Sequence, residues 1–196
     1  MRPDRVVYFL THPDVLIDPA VPVPDWPLSP RGRTRMTHAL ALPWITRLGA
    51  IWSSTERKAR DGAEILGAHL RLPFRTLATL GENDRSATGY LPRAAFEAMA
   101  DLFFAHPQES VRGWERAIDA QRRIVGAVEA VIAGSQAQPG DIAIVAHGGV
   151  GALLLCHLHG VPIDRAYDQP ANGGGNYFAF STATRRLRHG WRTIDA

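Results

Sequence analysis

The stretch VVYFLTHPD, residues 6–14, decides how the rest of the chain is read. Five apolar or aromatic residues, Val6 to Leu10, run into Thr11 and His12 and stop at Pro13. A continuous apolar run bounded by breakers is the pattern of a strand buried on both faces, as in a parallel sheet. Ligands of open α/β sheets bind beyond the carboxyl ends of such strands, which places His12 where chemistry is usually done. The same grammar returns in GDIAIVAHGGVGALLLCHLHG, residues 140–160: a turn, an apolar strand, His147, two glycines and a helical pattern. Two histidines at the exits of two buried strands are the main functional signal.

Outward from His12 the chain carries prolines at 13, 19, 22, 24, 27 and 30, which exclude a helix or an interior strand and predict a rigid extended loop. Ser29 before Pro30 reads as an N-cap with proline at the first helical position. Met36, Leu40, Trp44 and Leu48 then predict a helix that bends at Pro43 and ends at Gly49. Residues 50–54 read as a second strand. Ser53 and Glu56 have capping-box spacing and predict a helix reaching about Leu70. A third strand is expected over residues 73–77. Residues 80–113 break the rhythm: small and polar residues fill the first half, and a short helix is expected over about 93–104. Such an insertion commonly carries substrate contacts, with Glu82, Asp84 and Arg85 its charged candidates. The apolar spacing Val111, Trp114, Ile118, Val125, Val128, Ile132 predicts a long amphipathic helix. Strand 141–146, helix 149–158, a loop ending in Gly173–Gly175, and a closing pair of strands around residues 182–185 complete the chain. This alternation is that of a three-layer α/β domain.

A chain of 196 residues with 45% hydrophobic and 21% charged residues can form one well-cored soluble domain. Its single cysteine, Cys156, excludes an internal disulfide framework and reads as a buried small hydrophobe among leucines. No secretion signal and no membrane-length apolar stretch is present, so a cytoplasmic location is expected. The net charge of +3 favours anionic partners in a general way. The basic residues are scattered into separate clusters without a nucleic-acid-binding signature, so neither nucleic acid nor membrane is an expected partner.

Phosphoryl transfer asks for a nucleophile, cations aimed at the equatorial oxygens and an acid for the leaving group. The chain can supply His12, then Arg57, Lys58 and His147, then Glu82. Arg57 and Lys58 would sit in a first helical turn, where a bound anion is favoured, although a solvated basic face explains them equally well. A zinc site would need a third ligand from His157, His159 or Asp14, and no spacing supports one.

Five motifs then occur in order: Leu10-Thr11-His12-Pro13-Asp14, Leu28-Ser29-Pro30-Arg31-Gly32, Ser53-Ser54-Thr55-Glu56-Arg57-Lys58-Ala59, Leu80-Gly81-Glu82 and His147-Gly148-Gly149-Val150. In this order they resemble the histidine phosphatases, the phosphoglycerate-mutase-like superfamily. The resemblance implies an α/β/α sandwich with a mostly parallel central sheet, one domain over residues 1–196 with the insertion at about 80–113. It implies that His12 carries the phosphoryl group, that His147 contacts it and that Glu82 protonates the leaving group. Thr11, Arg57 and Lys58 fall at or beside the phosphate-binding positions, and neither a metal nor an organic cofactor is implied. The family's Arg-His-Gly is Thr11-His12-Pro13 here, and its second arginine is Lys58. Replacing a bidentate guanidinium by a hydroxyl or an ammonium is not conservative at a phosphate site. Arg57, Arg85 or Arg165 are the candidates to stand in.

The expected function is therefore hydrolysis of a small anionic phosphomonoester through a phosphohistidine. A catalytically silent phosphoester-binding or regulatory protein is the alternative. A phosphopeptide substrate stays open if the insertion leaves the site exposed. The prolines from 19 to 30 read either as a wall beside the site or as a homodimer contact, and Trp26 and Tyr90 either fill the site or pin the loop.

Overall fold

A computed structural model describes residues 4–195. Its strands are β1 (Val6–Thr11), β2 (Leu48–Ser53), β3 (Phe74–Thr76), β4 (Asp141–Ala146), β5 (Asn176–Ser181) and β6 (Leu187–Thr193), and they pair in the order β3-β2-β4-β1-β5-β6. The pairings of β1 with β4, β2 with β4 and β2 with β3 are parallel, and those of β5 with β1 and β6 are antiparallel. The helices are α1 (Pro30–Ala39), α2 (Arg57–Leu70), α3 (Arg93–Ala105), α4 (Ala117–Gly134) and α5 (Gly148–His159).

The continuous apolar runs are buried on both faces because successive side chains alternate between two helical layers. Tyr8, Leu10, Ala143, Val145, Tyr177 and Ala179 pack toward Met36 of α1 and Ala59, Ala63 and Leu66 of α2. Val7, Phe9, Ile142, Ile144, Phe178 and Phe180 pack toward Ile124 and Val128 of α4 and Val150 and Leu154 of α5. Cys156 on α5 is wholly buried. The inserted α3 covers the outer side of this second layer, with Met99, Phe103 and Phe104 against Trp114, Ala120 and Leu153. Helices on both sheet faces make the expected three-layer α/β/α arrangement.

Three local expectations are corrected. α1 ends at Ala39, and the chain turns through residues 40–47 before β2 begins at Leu48. Pro43 breaks the helix where a bend was expected, because its ring and missing N–H stop the ladder. Ser53 does not cap α2: its hydroxyl donates to the Ser54 carbonyl, and Glu56 is the N-cap residue without a side-chain cap bond. The helix expected from Val111 begins at Ala117, since Arg112 and Gly113 take positive φ and interrupt it. The Ser29 cap forms as read, its Oγ accepting the Gly32 N–H at 3.0 Å.

Candidate active site

Strand register builds the site. β1 and β4 are parallel neighbours with Thr11 opposite Ala146, so the next residues, His12 and His147, emerge side by side. The His12 N–H donates to the Ala146 carbonyl at 3.1 Å. The two rings stand edge to face with centroids 5.2 Å apart. The Gly173–Gly175 run, all at positive φ, folds the last loop over this point, and Gly175 N–H donates to the His12 carbonyl at 3.2 Å.

His12 Nδ1 lies 3.0 Å from the Pro13 carbonyl. Only a protonated nitrogen can face a carbonyl oxygen, so Nδ1 carries the proton and Nε2 keeps its lone pair. Burial, and then the Lys58 charge, push the His12 pKa down to about 4. The ring is therefore neutral across the physiological range. An NMR titration is expected to show the His12 imidazole protonating near pH 4, and a midpoint near the ordinary 6.5 would contradict this environment.

His147 is wholly buried at the start of α5. Its Nε2 lies 2.7 Å from Ser54 Oγ and 3.2 Å from Glu56 Oε1, while its Nδ1 has no hydrogen-bond partner among the described residues. Burial pushes this imidazole well below its ordinary value, and the Glu56 carboxylate pulls the other way. Glu56 also takes the Lys58 ammonium and accepts the Glu82 N–H at 2.8 Å. Burial would raise its carboxyl, but His147, Lys58 and these hydrogen bonds prevail and hold it at about 2.

Glu82 is tied to the first turn of α5. Its Oε2 accepts Gly149 N–H at 3.1 Å, and its Oε1 accepts Val150 N–H at 2.9 Å. The two glycines after His147 make room for this approach. A Cβ on Gly149 would lie 2.8 Å from Glu82 Oε1, and one on Gly148 only 2.2 Å from Gln169 Nε2. His12, Glu82, Arg85, Gly148, Gly149, Asp168 and Gln169 line a cavity of about 200 Å³ whose far wall is Phe96, Phe103, Phe104 and Trp114. Burial, with the neighbouring Glu82 charge, raises the Asp168 carboxyl, opposed by its bond from Gln169 N–H.

The other expected phosphate ligands are placed differently. Thr11 is buried with its hydroxyl turned to Gln169 Oε1 at 2.7 Å. Lys58 is buried and committed to Glu56 and the Val23 carbonyl. Arg57 is exposed and faces Asp61 at 3.6 Å, away from the cavity. Of the stand-ins, Arg165 pairs with Glu97 and Asp101, whereas Arg85 lies over the Phe96 ring, lines the cavity and forms no ion pair among the described residues. Trp26 donates to the Asp18 and Val21 carbonyls and meets Tyr90 edge-on, so it pins the proline loop. With Tyr90 it lines a neighbouring cavity of about 300 Å³ that shares Arg85 and Phe96 with the first. Asp14 is held by Arg35 at 2.7 Å, and among the described residues no group of three His, Cys, Asp or Glu gathers as a metal site. Among the described residues no helix is long and apolar enough to cross a membrane.

Ser54, Glu56, Asp168 and Gln169 were not expected from the sequence as site residues, Glu56 being read there only as a helix cap partner. The first two lie inside a quoted motif. Asp168 and Gln169 sit on a loop whose path over the strand ends no local pattern encodes.

The model of the histidine phosphatase superfamily (branch 1) matches residues 20–189. The chain belongs to this superfamily. As a histidine phosphatase it also resembles solved structures along nearly its whole length. The mycobacterial glucosyl-3-phosphoglycerate phosphatase solved with inorganic phosphate is 24% identical with a TM-score of 0.74, over 98% of this chain and 99% of that one. Bacillus stearothermophilus YhfR is 22% identical with a TM-score of 0.72, over 95% of each chain. The alpha-ribazole phosphatase from Shigella flexneri is 17% identical with a TM-score of 0.67, over 97% of this chain and 96% of that one. No curated protein sequence matches it.

Proposed function

We propose that this histidine phosphatase hydrolyses phosphomonoesters through a phosphohistidine on His12. The observation that carries the reading is the state of that ring. It is neutral, its Nδ1–H is held by a carbonyl, and its Nε2 lone pair is uncommitted at the cavity wall beside His147. Phosphoryl transfer would join Nε2 to phosphorus as the ester oxygen leaves, and water would then release phosphate and restore the ring. The proton of a neutral His147 sits on Nε2, facing Glu56, so its Nδ1, without a partner among the described residues, would donate to a phosphoryl oxygen only once the arriving dianion has drawn a proton onto the ring. Arg85 brings positive charge to the cavity, and Glu82 with Asp168 supplies the carboxyl pair from which a leaving group draws its proton. The names of two structural neighbours, a glucosyl-3-phosphoglycerate phosphatase and an alpha-ribazole phosphatase, support a small phosphorylated substrate.

Mixing the protein with an aryl phosphate and quenching in alkali is expected to leave one phosphoryl group on His12 by mass spectrometry, since phosphohistidine survives base. Hydrolysis with the label on another residue would refute the assignment. One observation favours a second reading, a silent phosphoester-binding protein. The Glu56 carboxylate already occupies the Lys58 ammonium and sits 3.2 Å from His147 Nε2, donors that an incoming phosphate would otherwise use. A folded wild type that binds phosphate yet neither turns over nor labels would establish that second reading.

A further inference from the structure

Resting on the reading of this cavity as a phosphoryl site, we infer that the side-chain amide of Gln169 is the phosphoryl-oxygen donor that takes over from the arginine lost at Thr11. The two residues are in direct contact. Gln169 Oε1 accepts the Thr11 hydroxyl at 2.7 Å and the Asn176 side-chain amide at 3.0 Å. Thr11 Oγ1 in turn accepts the Asn176 backbone N–H at 3.0 Å, and its own proton has two acceptors in reach, Gln169 Oε1 at 2.7 Å and the more distant Asn176 carbonyl at 3.3 Å, of which the shorter is Gln169. With the carbonyl oxygen claimed by two donors, the amide nitrogen is forced to the opposite side. There it lies against Gly148, the first residue of α5, where a Cβ would come within 2.2 Å of it.

Gln169 and Gly148 both line the cavity that contains His12. The Gln169 Nε2 protons have no protein acceptor among the hydrogen bonds of the described residues. An uncommitted NH2 fixed beside a helix N-terminus and a neutral nucleophile is a preorganised donor for a phosphoryl oxygen. Thr11 therefore acts as the positioning residue: where a guanidinium would reach the phosphate itself, its hydroxyl sets the amide that does. The replacement exchanges a charged fork for a neutral donor, which leaves Arg85 as the cation of the cavity without an ion-pair partner.

Gln169→Glu tests this with little disturbance of the fold. The carboxylate keeps an oxygen for Thr11 and Asn176, turns the cavity-facing NH2 into an acceptor and adds a negative charge, so Gln169→Leu, which removes the donor without adding charge, is the arm that isolates the hydrogen bond. The expected result is inorganic phosphate binding weakened about 10- to 100-fold by calorimetry, from loss of a hydrogen bond to a charged ligand. kcat/KM on aryl phosphates is expected to fall about 100- to 1000-fold. Gln169→Leu should reproduce the loss, and Thr11→Val should give a smaller loss in the same direction. If Gln169→Glu lowers the melting temperature yet binds phosphate as wild type does, Gln169 only braces the loop and the inference fails while the hydrolase stands. If wild type binds phosphate without turning it over and Gln169→Leu abolishes that binding, the inference stands and the hydrolase reading falls. Wild type that binds no phosphate overturns both.

Discussion

Replacing His12 by alanine is expected to lower kcat/KM for phosphomonoester hydrolysis by at least about ten-thousandfold, the scale seen when a covalent nucleophile is removed. The size of the effect follows from the site. The other candidate groups bind or orient: Arg85 is a cation, Gln169 a donor, and Glu82 is held by the α5 N–H groups. His147 carries the other imidazole, but that ring is wholly buried and its Nε2 is committed to Ser54 and Glu56, so it does not replace His12 as nucleophile. The loss should fall on kcat, with phosphate affinity reduced far less, because His12 forms its bond in the transition state and contributes little to ground-state binding. His12→Asn should be equally inactive. A His12→Ala enzyme that kept more than about one-hundredth of wild-type turnover would place the nucleophile elsewhere.

The second large effect is on stability. Glu56→Gln is expected to destabilise the protein by roughly 3–5 kcal/mol, the cost of leaving one charge of a buried pair uncompensated. Lys58 is almost fully buried, and among the described residues its ammonium bonds Glu56 and the Val23 carbonyl alone. For a chain of this size that loss corresponds to a melting temperature lowered by roughly 6–20 °C. The double substitution Glu56→Leu/Lys58→Met should recover most of it, since removing both charges leaves neither stranded. A Glu56→Gln melting point within about 2 °C of wild type would show that water reaches Lys58 in solution.

The same pair sets the acid limb of stability. The folded Glu56 carboxyl is held at about 2 against an ordinary 4.5, so the folded state holds this proton more weakly than the unfolded chain. Its contribution is complete above pH about 4.5 and is lost as the pH falls toward 2. His12, depressed from 6.5 to about 4, acts in the same sense across that higher window, because the unfolded chain binds its proton first. Stability should therefore decline in two overlapping stages on acidification, and Glu56→Gln should remove the lower one.

The amino-acid sequence by itself determined the layered fold and the two histidines. Apolar runs such as Val6–Leu10 and Ile142–Ala146 cannot be solvated on either face, so they must lie inside a sheet covered on both sides, and the residue ending each run must surface at its edge. The glycines after His147 were legible for the same local reason, since only a missing side chain admits Glu82 and Gln169 to the helix start. What lines up beside those histidines was decided by tertiary structure. That β4 lies next to β1, and that Thr11 registers with Ala146, depends on pairing across more than 130 residues, which no local pattern encodes. The pairing of Lys58 with Glu56 and of Thr11 with Gln169 was equally hidden. Arg57 and Lys58 are adjacent in sequence, yet the turn of α2 sends one to solvent and Asp61 and the other into the core. Charge and residue type are properties of the chain, but where a side chain finds its partner is set by strand order and loop path, and those exist only in the folded protein.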